Sequence, residues 1–209
     1  MRFINALSYK GANYLMKQMK GNHENRRIYY FGLQVVIGAI VKGLLLLLLA
    51  LITGTILPSL TIAAAFVLLR TIAGGYHMHT YGRCISVSLG LFILSAVISK
   101  YSAHMWNEVS IMVFVILSFI ISSASLLKWA PADNPNRPIT KEEEIKKFKM
   151  LSMVYIVVWL IVNLILVYFK QNMFSLALCF GVILEVFSIT PAGVRFFEII
   201  EHGMESVKK

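Results

Sequence analysis

Leu33-Gln-Val-Val-Ile-Gly-Ala-Ile-Val-Lys-Gly-Leu-Leu-Leu-Leu-Leu-Leu-Ala-Leu-Ile-Thr53 carries one charge, Lys42, near its middle. A helix of about 20 apolar residues spans the ~30 Å hydrocarbon layer of a bilayer at about 1.5 Å of rise per residue. Lipid offers no hydrogen bonds, so a chain crossing it must satisfy its own backbone, and a helix does so within one segment. The stretch therefore reads as a transmembrane helix. Comparable runs follow at 56–72, 84–99, 109–127, 151–169 and 173–190, which predicts an all-α integral membrane protein of six spans. The second and third are the weakest, because Ile56–Leu69 and Ile85–Ser99 are short as uncharged stretches; tilted helices or a re-entrant pair both fit them. Either choice leaves the other spans oriented alike.

Composition agrees. Of 209 residues, 58% are hydrophobic and only 14% charged, whereas a soluble domain needs about a quarter charged residues to cover itself. The net charge of +10 would suit nucleic acid, but Lys and Arg flank apolar runs instead of gathering on one face, so no nucleic-acid partner is expected. With residues 1–30, 70–83, 128–150 and 191–209 inside, 17 of the 20 Lys and Arg are internal. Only Lys100 and Lys170 lie outside, and Lys42 lies within the first run. By the positive-inside rule both ends of the chain face the cytosol.

The chain reads as one polytopic domain, residues 1–209, with three polar segments. Residues 1–30 have no continuous apolar core and so no signal peptide. Phe3, Ile4, Leu7, Tyr14, Leu15 and Met19 recur at helical spacing between Lys10, Lys17 and Lys20, a pattern suited to a helix in the headgroup plane of the bilayer. Segment 128–150 opens with Pro131, Pro135 and Pro138, which forbid a continuous helix. Thr140 and Glu143 then have capping-box spacing for a helix leading into the fifth span.

Chemistry is concentrated in Arg70-Thr-Ile-Ala-Gly-Gly-Tyr-His-Met-His-Thr-Tyr-Gly-Arg-Cys84, between spans two and three on the inner face. Gly74-Gly75 ends the preceding helix and lets backbone come close to a substrate. His77 and Cys84 form a thiol–imidazole pair, the combination that makes sulfur nucleophilic. On an unbroken helix seven residues separate them by about 10.5 Å, beyond proton-transfer reach. The chain must fold back, with Gly82 the natural place, or a second subunit must supply His77. The bland alternative is an interfacial histidine and a small apolar cysteine. A metal held by His77, His79 and Cys84 lacks a convincing fourth ligand, Asp133 and Glu185 being the available acids, so no metal or cofactor is expected. Cys179, in an apolar run, reads as structural. Glu185 lies inside the last span, where an ionisable group faces the bundle interior and tends to be functional; Lys42 is its expected partner. A small peptide or solute transporter using Glu185 and Lys42 is the competing reading.

The order and spacing of Arg70, Gly74-Gly75-Tyr76-His77 and Cys84, together with Ala130-Pro-Ala-Asp-Asn-Pro-Asn-Arg-Pro-Ile139, resemble the accessory gene regulator B (AgrB) family of membrane peptidases. Met78 departs from the small residue that family commonly has after the histidine. The resemblance implies that Cys84 is the nucleophile of a cysteine endopeptidase and His77 its general base, with Arg70, Gly74 and Gly75 meeting the substrate. It implies an AgrD-like quorum-sensing propeptide with an amphipathic leader, a cysteine-bearing centre and an acidic tail. Cleavage of that tail through an acyl-enzyme would lead to a thiolactone or lactone ring, the autoinducing peptide. It further implies a homodimer. The interfacial leader, the basic inner loops and exclusion of water by the bilayer all suit such a reaction.

Overall fold

The computed structural model describes residues 2–19, 23–76, 78, 81–132 and 141–206. Among these there is no strand. Eight α-helices follow one another: α1 (Arg2–Met19), α2 (His23–Ile52), α3 (Ile56–Ala73), α4 (Tyr81–Ser102), α5 (Glu108–Trp129), α6 (Glu142–Tyr168), α7 (Asn172–Ile189) and α8 (Pro191–Ser206). A 3-10 turn at Ala103–Met105 prolongs α4. Six of them, α2 to α7, are long and apolar enough to cross a bilayer.

The two weak runs become full-length helices because charged residues sit inside their ends. Arg70 lies in the last turn of α3 and Lys100 in that of α4, so a search for uncharged sequence stops short of the helix. Neither helix turns back. On one face Lys100 Nζ donates to the Gly54 carbonyl (2.7 Å), Asn172 Nδ2 to the Trp106 carbonyl (2.9 Å), and Lys170 meets Glu108 at 2.9 Å. On the other face Ala132 N–H donates to the Ala73 carbonyl (2.8 Å) and Tyr76 N–H to the Ser188 carbonyl (3.3 Å). The chain thus alternates between two faces along α2–α7.

Lipid tails are as apolar as leucine, so spans associate through close van der Waals packing and interhelical hydrogen bonds. Among the six, α7 is the most buried and α2 the least. The tightest crossing is α3 on α7: a Cβ added at Gly181 would stand 2.7 Å from both the Ile62 carbonyl and the Ala65 Cβ. Glycine is required there because backbone meets backbone. Leu69, Ile111, Val115, Ile156, Leu176, Val182 and Val186 complete this core. Polar bonds fasten α6 to α7, with Trp159 Nε1 donating to the Leu178 carbonyl (3.1 Å) and Ser175 Oγ to Asn163 Oδ1 (2.9 Å). A second cluster joins α2, α3 and α4 through Leu46, Ile62, Phe66, Leu89 and Phe92. Ile40, Leu44, Leu48 and Leu51 of α2 remain exposed, as a lipid-facing stripe does.

Three sequence readings of the helix ends change. Residues 1–30 are not one interfacial segment. The amphipathic helix is α1, and from His23 the chain already belongs to α2, whose 30 residues reach about 45 Å and outrun the hydrocarbon. α1 folds back along that overhang, with Ile4, Ser8 and Ala12 buried at i, i+4 spacing and Gln34 Nε2 donating to Asn5 Oδ1 (2.9 Å). Thr140 lies outside the described residues; α6 begins at Glu142 after Lys141, so Glu143 falls one position too early for the expected capping box. Segment 191–206, given in the sequence only as an inner stretch, is the amphipathic α8. Pro191 occupies its first position, and the Thr190 hydroxyl accepts from Gly193 N–H (3.1 Å) as an N-cap.

Gly181→Ala should force α3 and α7 apart and cost about 1–3 kcal/mol of overpacking. Thermal unfolding in detergent measures it, and an unchanged midpoint would contradict a backbone-to-backbone contact at this position.

Candidate active site

The functional segment begins where α3 is made to stop. Gly74 and Gly75 have φ of +75° and +148°, values that residues with a Cβ seldom adopt. Space demands glycine as well. A Cβ at Gly74 would collide with the Ala132 carbonyl, and one at Gly75 would lie 2.6 Å from Arg70 Nη1, 2.7 Å from Ser188 Oγ and 3.1 Å from Glu185 Oε1. The groups that approach these glycines closely are therefore the chain's own.

Beneath Gly75 lies a buried polar cluster. Arg70 Nη1 donates to Glu185 Oε2 (3.1 Å) and to Ser188 Oγ (3.3 Å), and Ser188 Oγ also donates to Glu185 Oε2 (3.4 Å). The expected Glu185–Lys42 pair is thus replaced by Glu185–Arg70, since Arg70 stands on the helix that packs tightest against α7. Lys42 still lies close enough to Glu185, Arg70 and Cys84 to interact with each electrostatically. Its ammonium sits 5.7 Å from the Phe92 ring centroid.

Tyr76 is tied on every side. Its carbonyl accepts from Arg70 Nη2, its N–H donates to the Ser188 carbonyl, its ring stacks on Phe197 of α8 at 5.8 Å, and its hydroxyl donates to Glu201 Oε2 (3.2 Å). Glu201 also pairs with Arg83 at 3.4 Å, so one α8 carboxylate holds residues on both sides of the 77–80 segment. Phe197 and Glu201 point inward together because α8 turns one stripe inward at helical spacing, with Gly193 and Glu201 buried and Phe197 and Met204 partly so. Burial, and then the Glu201 carboxylate, push the Tyr76 phenol above its ordinary value.

Cys84 is a free, half-buried thiol in the first turn of α4, the end of the helix where backbone N–H groups lack intrahelical partners. Gly82 lies inside that helix, so the fold-back expected there does not occur; the reversal falls between Ala73 and Tyr81. Ser86 Oγ donates to the Gly82 carbonyl (3.1 Å) and Ser88 Oγ to that of Cys84 (2.7 Å), so both hydroxyls are bound to their own helix. His77, His79, Thr80 and the 133–140 part of the long loop lie outside the described residues. Cys179 is buried on α7 beside Asn163. Sequence reasoning missed Tyr76, Ser188 and Glu201. Glu201 lies in α8, whose apolar spacing was the available signal.

A six-span helical membrane protein with a thiol, a lysine and a buried Arg–Glu pair gathered toward one end of the bundle is the class these observations define. The accessory gene regulator B family matches residues 8–189, and the chain belongs to that family. An AgrB-like protein of Clostridium perfringens strain 13 is 24% identical over 203 residues, covering 91% of this chain and 92% of the relative. Another from Listeria innocua is 24% identical over 188 residues, covering 88% and 87%. Both are named for likeness to AgrB, and neither name states an activity. No solved structure matches. Family membership places this multi-pass membrane protein in the agr quorum-sensing system.

The neutral Tyr76 phenol donates the bond to Glu201, so the contact holds below its raised pKa and is lost as pH rises through it. The near-ultraviolet titration of wild type minus Tyr76→Phe should show a phenol ionising above the ordinary ~10. Ionisation at or below that value would contradict the Glu201 contact.

Proposed function

We propose that this protein is a membrane cysteine endopeptidase that removes the C-terminal tail of an AgrD-type propeptide and closes the remainder into a thiolactone. The observation that carries the reading is Cys84, a reduced and partly accessible thiol at a helix start, within electrostatic reach of Lys42. Positive surroundings at a helix N-terminus are where nucleophilic cysteines are found. Family membership supplies the substrate class.

In this reading His77 takes the Cys84 proton, and the thiolate adds to the carbonyl at the tail junction. Collapse breaks the C–N bond; the tail leaves with a free amine that receives the proton, and the leader and centre remain as a thioester on Cys84. The substrate's own thiol then attacks that thioester, its proton passing through His77 to the departing Cys84 sulfur. An amide and a thiol become a thioester and an amine, and no water is consumed. A serine in place of the substrate cysteine would give a lactone. Gly74 and Gly75 flank the substrate's path on the α3 side, with Arg70 beneath them. The face holding Cys84 and α8 is the cytosolic one, which the excess of Lys and Arg in its connections supports. The substrate's leader lies in the bilayer surface beside α1, and two copies form the working dimer.

In the competing transporter reading Glu185 and Lys42 carry the function. Glu185 is bound to Arg70 and Ser188, which supports a fixed structural group over a transport site.

Co-expression with a tagged propeptide tests the proposal. Cys84→Ala and His77→Ala should each abolish tail release, and Cys179→Ala should leave it intact. Normal cleavage by Cys84→Ala would end the proposal. An alkylating probe applied to membranes should modify Cys84 well before Cys179; equal inertness of the two thiols would count equally against it.

A further inference from the structure

Glu185 is the most deeply placed acid among the described residues, and nothing in the proposed reaction uses it. It is fully buried, in the last span, with Oε2 bound by Arg70 and Ser188 and Oε1 without a hydrogen-bond partner beneath Gly75. Burying a carboxylate is expensive, so a chain keeps one inside a bundle only where it is paired and its effect is worth that cost. What the pair does is visible in the other half of the guanidinium. Arg70 Nη1 is committed to Glu185 and Ser188, and this orients the planar fork so that Nη2 meets the Tyr76 carbonyl. Arginine suits the task because its donors are rigidly arranged; a lysine ammonium cannot reproduce both directions.

Tyr76 immediately precedes His77. Its carbonyl, bound by Arg70 Nη2, belongs to the peptide bond that joins the two residues. The N–H of Tyr76, in the preceding peptide unit, donates to the carbonyl of Ser188, one turn from Glu185. Two helices that are far apart in sequence, α3 and α7, thus hold the main chain on both sides of the Tyr76 Cα.

We propose that Glu185 is a positioning residue: through Arg70 it locks the main chain at Tyr76, the residue before His77, and the His77-dependent reactivity of Cys84 relies on that lock. The carboxylate touches no substrate. Its role is to keep the guanidinium aimed, as outer-shell groups keep catalytic side chains within a fraction of an ångström of productive geometry. This rests on the reading of His77 and Cys84 as a base–nucleophile pair.

The test needs no propeptide. In a Cys179→Ala background, purified into detergent, the rate of Cys84 alkylation by iodoacetamide is followed against pH for Glu185→Gln, Arg70→Lys, Glu185→Asp and His77→Ala. Glu185→Gln keeps shape and loses charge; it and Arg70→Lys should slow alkylation near neutral pH by about tenfold to a hundredfold and take on the pH profile of His77→Ala. Glu185→Asp should recover part of the loss. Glu185→Gln combined with His77→Ala should be no slower than His77→Ala alone, since both remove the same coupling. Unfolding midpoints of each variant identify any that have lost the fold, and a loss of reactivity confined to those variants overturns the proposal. So does a wild-type profile in Glu185→Gln, or an equal slowing by Glu185→Gln with and without His77. If His77→Ala itself leaves Cys84 reactivity unchanged, the base–nucleophile reading fails, and the positioning role fails with it through a separate arm.

Discussion

The structure depends on one buried ion pair, Arg70 with Glu185, and on the glycine contact that lets it form. Gly181 brings α7 against the backbone of α3; Glu185 lies one turn further along α7, and Arg70 a little more than one turn beyond Ala65. Were the two helices separated by an ordinary side chain, the guanidinium would fall short of the carboxylate. An unpaired charge inside the bundle costs roughly 3–5 kcal/mol, so the pair and the close packing support one another. The pair then organises what lies above it. Gly75 must be glycine to pass over the cluster, and Tyr76 is held by the remaining guanidinium nitrogen.

The two faces of the bundle use polar groups differently. On the face with Lys100 and Lys170, the bonds join helix ends to one another: an ammonium to the Gly54 carbonyl, an exposed ion pair with Glu108, and an amide to the Trp106 carbonyl. They close connections and leave little chemistry. At the opposite end the polar groups converge from α2, α3, α7 and α8 on the stretch between Ala73 and Cys84. Lys42 contributes charge from below, Glu185 and Ser188 through Arg70, and Glu201 from outside through Tyr76 and Arg83.

Some of the structure was legible residue by residue. Leu33–Thr53 and the runs after it announced helices because lipid permits no other solution for an isolated apolar segment. Gly74-Gly75 announced a break, and Glu185 stood out as a charge where charges are costly. The errors had specific causes. Arg70 and Lys100 lie inside helices, so counting only uncharged residues made α3 and α4 look too short. Gly82 was credited with a fold-back between His77 and Cys84 but lies inside α4, because a lone glycine in the first turn of a helix is tolerated there. α8 went unread although Phe197, Glu201 and Met204 repeat at helical spacing, since its one inward acid disguised the stripe.

By itself the sequence determined the solvent of this protein, the alternation of its spans and the glycine break that ends α3, because hydrophobic length, charge and glycine conformation act locally along the chain. Only the tertiary structure decided which charges meet. Whether Glu185 pairs with Lys42 or Arg70 depends on the rotation and depth of three helices relative to one another. Those are set by contacts such as Gly181 against Ile62 and Ala65, between residues more than a hundred positions apart.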